Sequence, residues 1–476
     1  MNIVEKIREE TAPFLDKTAI VEGADSISYR QLLTRVAMLR DLLATKGIGA
    51  GQRIALRCAD GIDYVVGSLA LLDCGAAATP IADSLTDGEV KETIERIDVA
   101  GVVSHVKMSR LANDQKLDEV FLWQARPSNG EMDQRCRELG SAFIRFSSGT
   151  TGESKGVVLS HRSIIERTDA ANRGLEITHR DVILWVLGMS HHFVVSILLF
   201  LRKGATIVVA NRNFPFSLLD AAGRPDLTVI YASPVHFYLL AASDAVSPKS
   251  FRQIRLAIST SMKMPADISS KFSEKFGIAP AEAYGIIEIG LPFINTDSHG
   301  GQNTVGKILP DYQLRIANPD ELGVGEVQIK GSGMFDAYFS PWRSRQECLV
   351  DGWFETGDLG RIDEHGRLCL FGRSKTVIIC VGMKVFPEEV EEAINSFPGV
   401  AESLVWGREH PQFGQVPVAN VVVQRGKNAE EIVGALRAHC CTKLSSYKVP
   451  AEFVAVEKLS KTVSGKLARV QQSTAI

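Results

Sequence analysis

What most constrains this chain is the alternation of short apolar runs with helix-period segments across its first three hundred residues. "ISYRQLLTRVAMLRDLLATKGI" (27–48) spaces its apolar residues at helical intervals and stops at Gly47, whereas "RIALRC" (53–58) has the length and content of a strand. "YVVGSLALLDCGAAATPI" (64–81) predicts a helix to Gly75 and then a strand of small residues. Strand-like runs recur at 99–105, 156–161, 205–210, 226–234 and 253–260. Such alternation predicts layers of α and β with largely parallel sheets.

After about residue 300 the texture changes. Glycine-punctuated strands, "GEVQIKG" (325–331) and "GRIDEHGRLCLFGR" (360–373), predict an antiparallel subdomain with a hairpin turn at "DEHG". Near residue 374 it changes again. In "FPEEVEEAINSFPGV", Pro387 suits a first helical position and the glutamates that follow favour the helix dipole. Strands at 400–406, 416–424 and 452–457 and a helix at 429–444 complete an α+β stretch long enough for a small domain.

The net charge of −3 over 476 residues gives no basic footprint, so nucleic acid is not an expected partner. The charged start "MNIVEKIREETAPFLDK" lacks the apolar core of a secretory signal. The longest apolar run, "HFVVSILLFL" (192–201), is too short for a transmembrane span and predicts a buried element. Eight cysteines include no CxxC pair, and Cys440 and Cys441 are adjacent, so they are expected to be reduced thiols in a cytoplasmic protein.

One segment cannot be core. "FSSGTTGESKG" (146–156) sets three glycines and five hydroxyl residues around Lys155. Exposed backbone N–H groups, short hydroxyl donors and a mobile cation suit phosphate oxygens. It is not a Walker A loop, which reads GxxxxGK followed by Ser or Thr; here Lys155 is followed by Gly156. With "YGIIE" (284–288), "WFETGDLG" (353–360), "GRSK" (372–375) and "SKTVSGK" (460–466), the segment resembles, in order and spacing, the motifs of the adenylate-forming superfamily: acyl-CoA synthetases, adenylation domains of peptide synthetases, and luciferases.

The resemblance implies an α/β fold: a large N-terminal domain (1–373) of two α/β subdomains and a small β subdomain, then a smaller α+β C-terminal lid (374–476). It implies activation of a small carboxylic acid by ATP with Mg2+, giving an acyl-adenylate and pyrophosphate, and then transfer to a thiol. Ser147, Ser148, Gly149, Thr150, Thr151, Gly152 and Lys155 would hold the β- and γ-phosphates, with Thr151 among the catalytic set. Glu288 would contact Mg2+, an oxygen-seeking cation. Tyr284 offers a flat face for adenine. Asp358 would accept hydrogen bonds from the ribose hydroxyls, Arg373 would reach ribose or phosphate, and Lys375 would be the hinge of the lid. Lys466 would bridge carboxylate and α-phosphate during adenylation.

The sequence departs from the family pattern at Ile287, where a threonine is usual, and at Ser154 and Ser460, where prolines are usual. An isoleucine side chain cannot donate to phosphate, so phosphate handling there must be weaker or supplied elsewhere. "LGMSHHFVVSILLF" (187–200) resembles the segment that walls the acid pocket, which gives His191, His192, Phe193, Val194, Thr260, Ser261 and Gly285 as candidate pocket residues; either histidine could equally be packed core. Relatives that activate α-amino acids carry an aspartate where Val194 stands, and a buried ammonium without a counter-charge is costly. α-Amino acids are therefore disfavoured, and Thr260 and Ser261, bulkier than the small residues that relatives often carry there, make an aryl or short- to medium-chain acid the expected substrate. The acceptor is either coenzyme A or the phosphopantetheine of a separate acyl or peptidyl carrier protein, and Val381 lies where relatives that bind free coenzyme A often carry a basic or small polar residue. A catalytically silent nucleotide-binding relative is the remote alternative, resting on Ile287 alone.

Overall fold

The apolar runs of the first three hundred residues become the strands of two mixed sheets. The structure is a computed structural model that describes residues 1–83, 85–105, 115–117, 120–124, 130–146, 155–296, 304–380 and 383–460. The described residues fall into two units, the first comprising those up to 146 with 155–313 and 329–354, the second 314–328 and 355–460.

In the first unit an eight-stranded sheet runs in the order Gly290–Asn295, Ala281–Ile286, Leu256–Ser259, Val229–Ala232, Val182–Trp185, Thr206–Val209, Thr18–Glu22, Asp25–Ser28. Its inner strands pair in parallel and only the two edge strands are antiparallel. Helices cover both faces of such sheets, which is why these strands are near-continuous apolar runs.

The second sheet has nine strands, of which Ser141–Phe146, Ala77–Ile81, Arg53–Arg57 and Gly101–Ser104 pair in parallel. The run at 156–161 departs from the parallel expectation. Its strand, Gly156–Ser160, pairs antiparallel with Ser141–Phe146, and Phe146 stands opposite Gly156. The phosphate motif therefore links two antiparallel strands, whereas a Walker loop passes from a strand into a helix.

The run 192–201 is helical and buried as expected. Met189–His192 leads through a wide π-turn, Phe193–Ile197, into Leu198–Arg202. Arg202 ends it inside the protein, paired to Glu10 at 2.6 Å and Asp169 at 2.9 Å.

Ser160 caps the helix His161–Leu175, its hydroxyl accepting from Ser163 N at 3.1 Å. Asp336 accepts from Ser160 N at 2.7 Å and from Ser163 Oγ at 2.6 Å. His161 Nδ1 accepts from Ile3 N at 3.3 Å, and burial pushes the ring down from 6.5 to about 4. Above the ordinary value the ring is neutral in both folded and unfolded chains. Between there and about 4 the unfolded chain takes a proton that the folded one refuses, so stability falls as pH falls through that window. His161→Asn keeps an acceptor for Ile3 N and is expected to flatten this dependence. Urea midpoints of both proteins at about pH 7.5 and about pH 5 measure it, and identical slopes would refute it.

In the second unit, strands Phe354–Ile362 and Leu368–Arg373 form the expected hairpin, with Asp363 Oδ1 accepting from His365 N and Arg367 N across "DEHG". Pro387 opens the helix Pro387–Asn395 with Glu388 and Glu389 in its first turn. That helix and Ala429–Lys443 pack on a five-stranded sheet around Val385, Val390, Ile394, Val405, Ala419, Val421 and Leu436. Phe371, from the hairpin, and Phe386, at the cap of the first helix, meet with ring centroids 5.4 Å apart, and Lys384 pairs with Asp320 at 3.0 Å. All eight cysteines are free thiols. Among the described residues no helix is long and apolar enough to cross a membrane.

Candidate active site

The hairpin of strands Ala281–Ile286 and Gly290–Asn295 carries "YGIIE". Tyr284 lies opposite Phe293, their ring centroids 5.8 Å apart. Any side chain at Gly285 would crowd the partner strand, 3.1 Å from Leu291 Cα, so glycine is the residue that fits. Ile287 and Glu288 follow at the turn, where both are held through their backbones. Arg167, from the helix His161–Leu175, donates from Nη1 to Ile287 O at 3.0 Å and from Nε and Nη2 to Gly333 O at 2.9 and 2.7 Å. Gly333 N donates to Glu166 Oε2 at 3.2 Å, and Phe335 N donates to Glu288 O at 2.7 Å.

The Glu288 carboxylate is oriented by one further contact, Tyr338 Oη donating to Oε1 at 3.0 Å. Burial, and next the Glu288 charge, push the Tyr338 phenol well up, so it remains a donor at any working pH. Lys155, which with Phe146 and Gly156 is the described part of the phosphate motif, holds its ammonium 5.6 Å from the Tyr338 ring centroid. The carboxylate of one motif, the lysine of another and a phenol that belongs to neither thus stand in one row. Burial lowers Arg167 to about 10, which still leaves it cationic at neutral pH.

The candidate pocket residues divide. Phe193 and Val194 are buried in packing, Phe193 between the Phe143 ring (6.3 Å, stacked) and the Tyr64 ring (5.5 Å, edge-on). Thr260 is buried and donates to Ala283 O at 3.3 Å. His191 pairs through Nδ1 with Ser190 Oγ at 2.8 Å. His192 meets Trp185 edge-on at 5.9 Å, and its Nε2 is 3.5 Å from Ser261 Oγ. Beneath His192, Trp185 stacks on Tyr231 at 5.4 Å. Ser261 is exposed with a φ of +77°, a left-handed backbone that a serine adopts at a cost. Trp185 and Tyr231 escaped sequence reasoning because an aromatic in a buried parallel strand looks like any core residue.

In the second unit Asp358 and Arg373 face each other across the hairpin, Oδ1 to Nε at 2.7 Å. Asp358 is nearly buried and Arg373 is half exposed. Arg373 Nη1 also donates to Thr356 O at 3.1 Å, and Thr356 Oγ1 accepts from Asp358 N at 3.1 Å. Lys375 is exposed in the single turn Ser374–Thr376 that leaves this pair. Ser147, Ser148, Gly149, Thr150, Thr151, Gly152, Val381 and Lys466 lie outside the described residues.

Two mixed α/β sheets, a small β-sheet and an α+β C-terminal portion together define the fold of the adenylate-forming enzymes. The chain superposes on ATP-bound MatB from Rhodopseudomonas palustris with a TM-score of 0.82 and 26% identity, covering 98% of this chain and 97% of that one. On o-succinylbenzoate CoA synthetase from Bacillus subtilis, bound to its acyl-adenylate intermediate, the TM-score is 0.83 at 23% identity, over 100% and 98% of the two chains, a likeness of fold.

The chain belongs to the AMP-binding enzyme family, whose model matches residues 7–339, and the model of that family's C-terminal domain matches 389–466. It is similar to sulfoacetate–CoA ligase from Cupriavidus necator, 26% identical over 94% of this chain and 92% of that one. It is also similar to 4-coumarate–CoA ligase 1 from Oryza sativa subsp. japonica, 29% identical over 90% and 83%. The protein is an enzyme, an AMP-forming acid–thiol ligase.

Proposed function

We propose that the enzyme joins a small carboxylic acid, aryl or short to medium in chain length, to coenzyme A by way of an acyl-adenylate. In the first half-reaction a carboxylate oxygen attacks the α-phosphorus of ATP. The bond from that phosphorus to the bridging oxygen breaks, and pyrophosphate leaves. In the second the thiol sulfur attacks the acyl carbon, AMP leaves with the electron pair of the broken C–O bond, and the thiol proton is released. The chemical difficulty is bringing two anions together, which requires fixed positive charge and fixed geometry.

The observation that carries the reading is the row of Lys155, from the phosphate motif, with Tyr338 and Glu288. Lys155, with Ser147 to Gly152, would hold the β- and γ-phosphates. Glu288 fits a hard cation. Its Oε1 is oriented by Tyr338, its Oε2 takes no hydrogen bond among the described residues, and no cluster of three or more ligating side chains stands among them. A single carboxylate with phosphate oxygens is how Mg2+ is commonly bound, and the ion would supply charge neutralisation on the triphosphate. Asp358 and Arg373 would take the ribose, Tyr284 the adenine and Lys466 the α-phosphate. The Ile287 side chain is not missed in this scheme, because the residue is held through its carbonyl by Arg167. The Trp185–Tyr231 stack supports a shallow pocket, which favours a short chain or a single ring.

ATP–pyrophosphate exchange over short and long aliphatic, aryl and amino acids tests the reading without any acceptor. Exchange with a short or aryl acid is expected, and Lys466→Ala is expected to lower it on the order of 10²-fold or more. Exchange with α-amino acids alone would overturn the pocket argument, and an unchanged Lys466→Ala rate would overturn the role of that lysine. The active acid then tests the acceptor: thioester formed with free coenzyme A supports the ligase reading, and thioester formed only on a carrier protein replaces it.

A further inference from the structure

Beside the deeply buried arginines of the first unit, Arg53, Arg167 and Arg202, stands the partly covered Arg145, which has fewer partners. Arg53 pairs with Asp98 and Asp133, and Arg202 with Glu10 and Asp169. Arg167 spends three N–H groups on two carbonyls. Arg145 makes one hydrogen bond among the described residues, Nη1 to His191 O at 2.9 Å, and no carboxylate of a described residue lies within ion-pair distance of it. Guanidinium groups offer five donors, and a buried charge without a counter-ion is strongly disfavoured.

The remaining Arg145 donors are not sealed in packing. The residue is only partly covered, and none of its nitrogens is among the buried side-chain atoms that lack a partner. Arg145 is the penultimate residue of strand Ser141–Phe146 and shares a face with Phe143, which stacks on Phe193. Its guanidinium is thereby delivered to the segment 187–200 at His191, with Tyr64 and Glu288 as its charged or titratable neighbours. Burial lowers its affinity for the proton, and Glu288 partly offsets this from beyond contact distance. An arginine remains cationic under such conditions.

We propose that Arg145 is an anion-binding subsite of the acid pocket, and that the acid activated here carries a second anionic group, a carboxylate or sulfonate, besides the carboxylate that is adenylated. This rests on the acid-activation reading above. Adenylation removes the charge of the reacting carboxylate, so a monoacid would leave Arg145 desolvated and unpaired throughout, whereas a second anion stays paired with it in substrate, adenylate and thioester. Anchorage on the His191 carbonyl favours the acid over ATP as the source of the anion, because the triphosphate already has Lys155 and the motif before it.

Exchange measured with succinate, glutarate and sulfoacetate against counterparts that keep only the reacting carboxylate, monomethyl succinate, monomethyl glutarate and methoxyacetate, tests the proposal. At least one dianion is expected to exceed its counterpart about 10- to 100-fold in kcat/KM, and Arg145→Gln is expected to erase that preference while leaving the KM for ATP unchanged. Preference for the monoanions would overturn the proposal, and so would an Arg145→Gln enzyme whose KM for ATP rises equally with every acid, which would assign the arginine to phosphate. Thermal shift with the same acids needs no turnover. If exchange is silent, stabilisation by a dianion that Arg145→Gln abolishes keeps the subsite and overturns the activation reading alone, and its absence overturns both.

Discussion

Replacing Glu288 with glutamine is expected to lower ATP–pyrophosphate exchange on the order of 10²-fold or more, with the Mg2+ dependence moved to higher concentration. Glutamine has the shape of glutamate and keeps an amide oxygen for Tyr338 Oη, so the 3.0 Å contact and the turn that carries it survive. What the substitution removes is the negative charge that Tyr338, its ring 5.6 Å from the Lys155 ammonium, orients. Tyr338→Phe makes the complementary change: it keeps the charge and removes the hydroxyl that orients it. One charge-assisted hydrogen bond is worth about 1.5–3 kcal/mol, so a loss of roughly 10- to 100-fold is expected, appearing mainly in the Mg2+ midpoint. Exchange and Mg2+ titrations on the three proteins measure both effects. Wild-type exchange by Glu288→Gln with an unmoved midpoint would remove Glu288 from the phosphate site.

The parts of this architecture that local chemistry dictates are legible in the sequence. The parallel strands are near-continuous apolar runs, Pro387 and the glutamates after it start a helix, and "DEHG" closes a hairpin at Asp363. The motifs were visible for the same reason, since glycine and hydroxyl runs have no core use. The supporting residues were not. Arg167 sits 120 residues before Ile287 and 166 before Gly333, and nothing in "IIERTDAAN" announces that its guanidinium ends on their carbonyls. Tyr338 lies 50 residues beyond the glutamate it orients. The direction of Gly156–Ser160 was likewise not local, because a five-residue apolar run reads the same whether its neighbour is parallel or antiparallel. Ile287 gives the clearest contrast. Read alone it looks like a lost phosphate contact, yet in the fold its carbonyl is what the Arg167 clamp grips.

That clamp makes Gly333 the position where the smallest change is expected to do the most structural damage. Gly333 has a φ of +69°, and a Cβ there would lie 2.6 Å from Arg167 Cα. The obstacle is the backbone of a helix whose residues here are buried, so it cannot swing aside as the end of a flexible side chain would. Left-handed strain of about 1 kcal/mol and the overpacking together place Gly333→Ala at about 3 kcal/mol or more of lost stability. Arg167→Met tests the same contact from the other side. It keeps the apolar stem but leaves Ile287 O and Gly333 O without their donor, at about 1–3 kcal/mol for each buried acceptor. Because Ile287 precedes Glu288 in the chain, the clamp positions the carboxylate as well as the fold. Arg167→Met is therefore expected to lower exchange roughly 10-fold or more in the fraction that remains folded, with the Mg2+ midpoint displaced in the same direction as in Glu288→Gln. Denaturant midpoints, with exchange assayed well below them, separate the two effects. A Gly333→Ala protein as stable as the parent would show that the helix yields there. An Arg167→Met protein that is less stable but unchanged in exchange and Mg2+ dependence would make the clamp structural and nothing more.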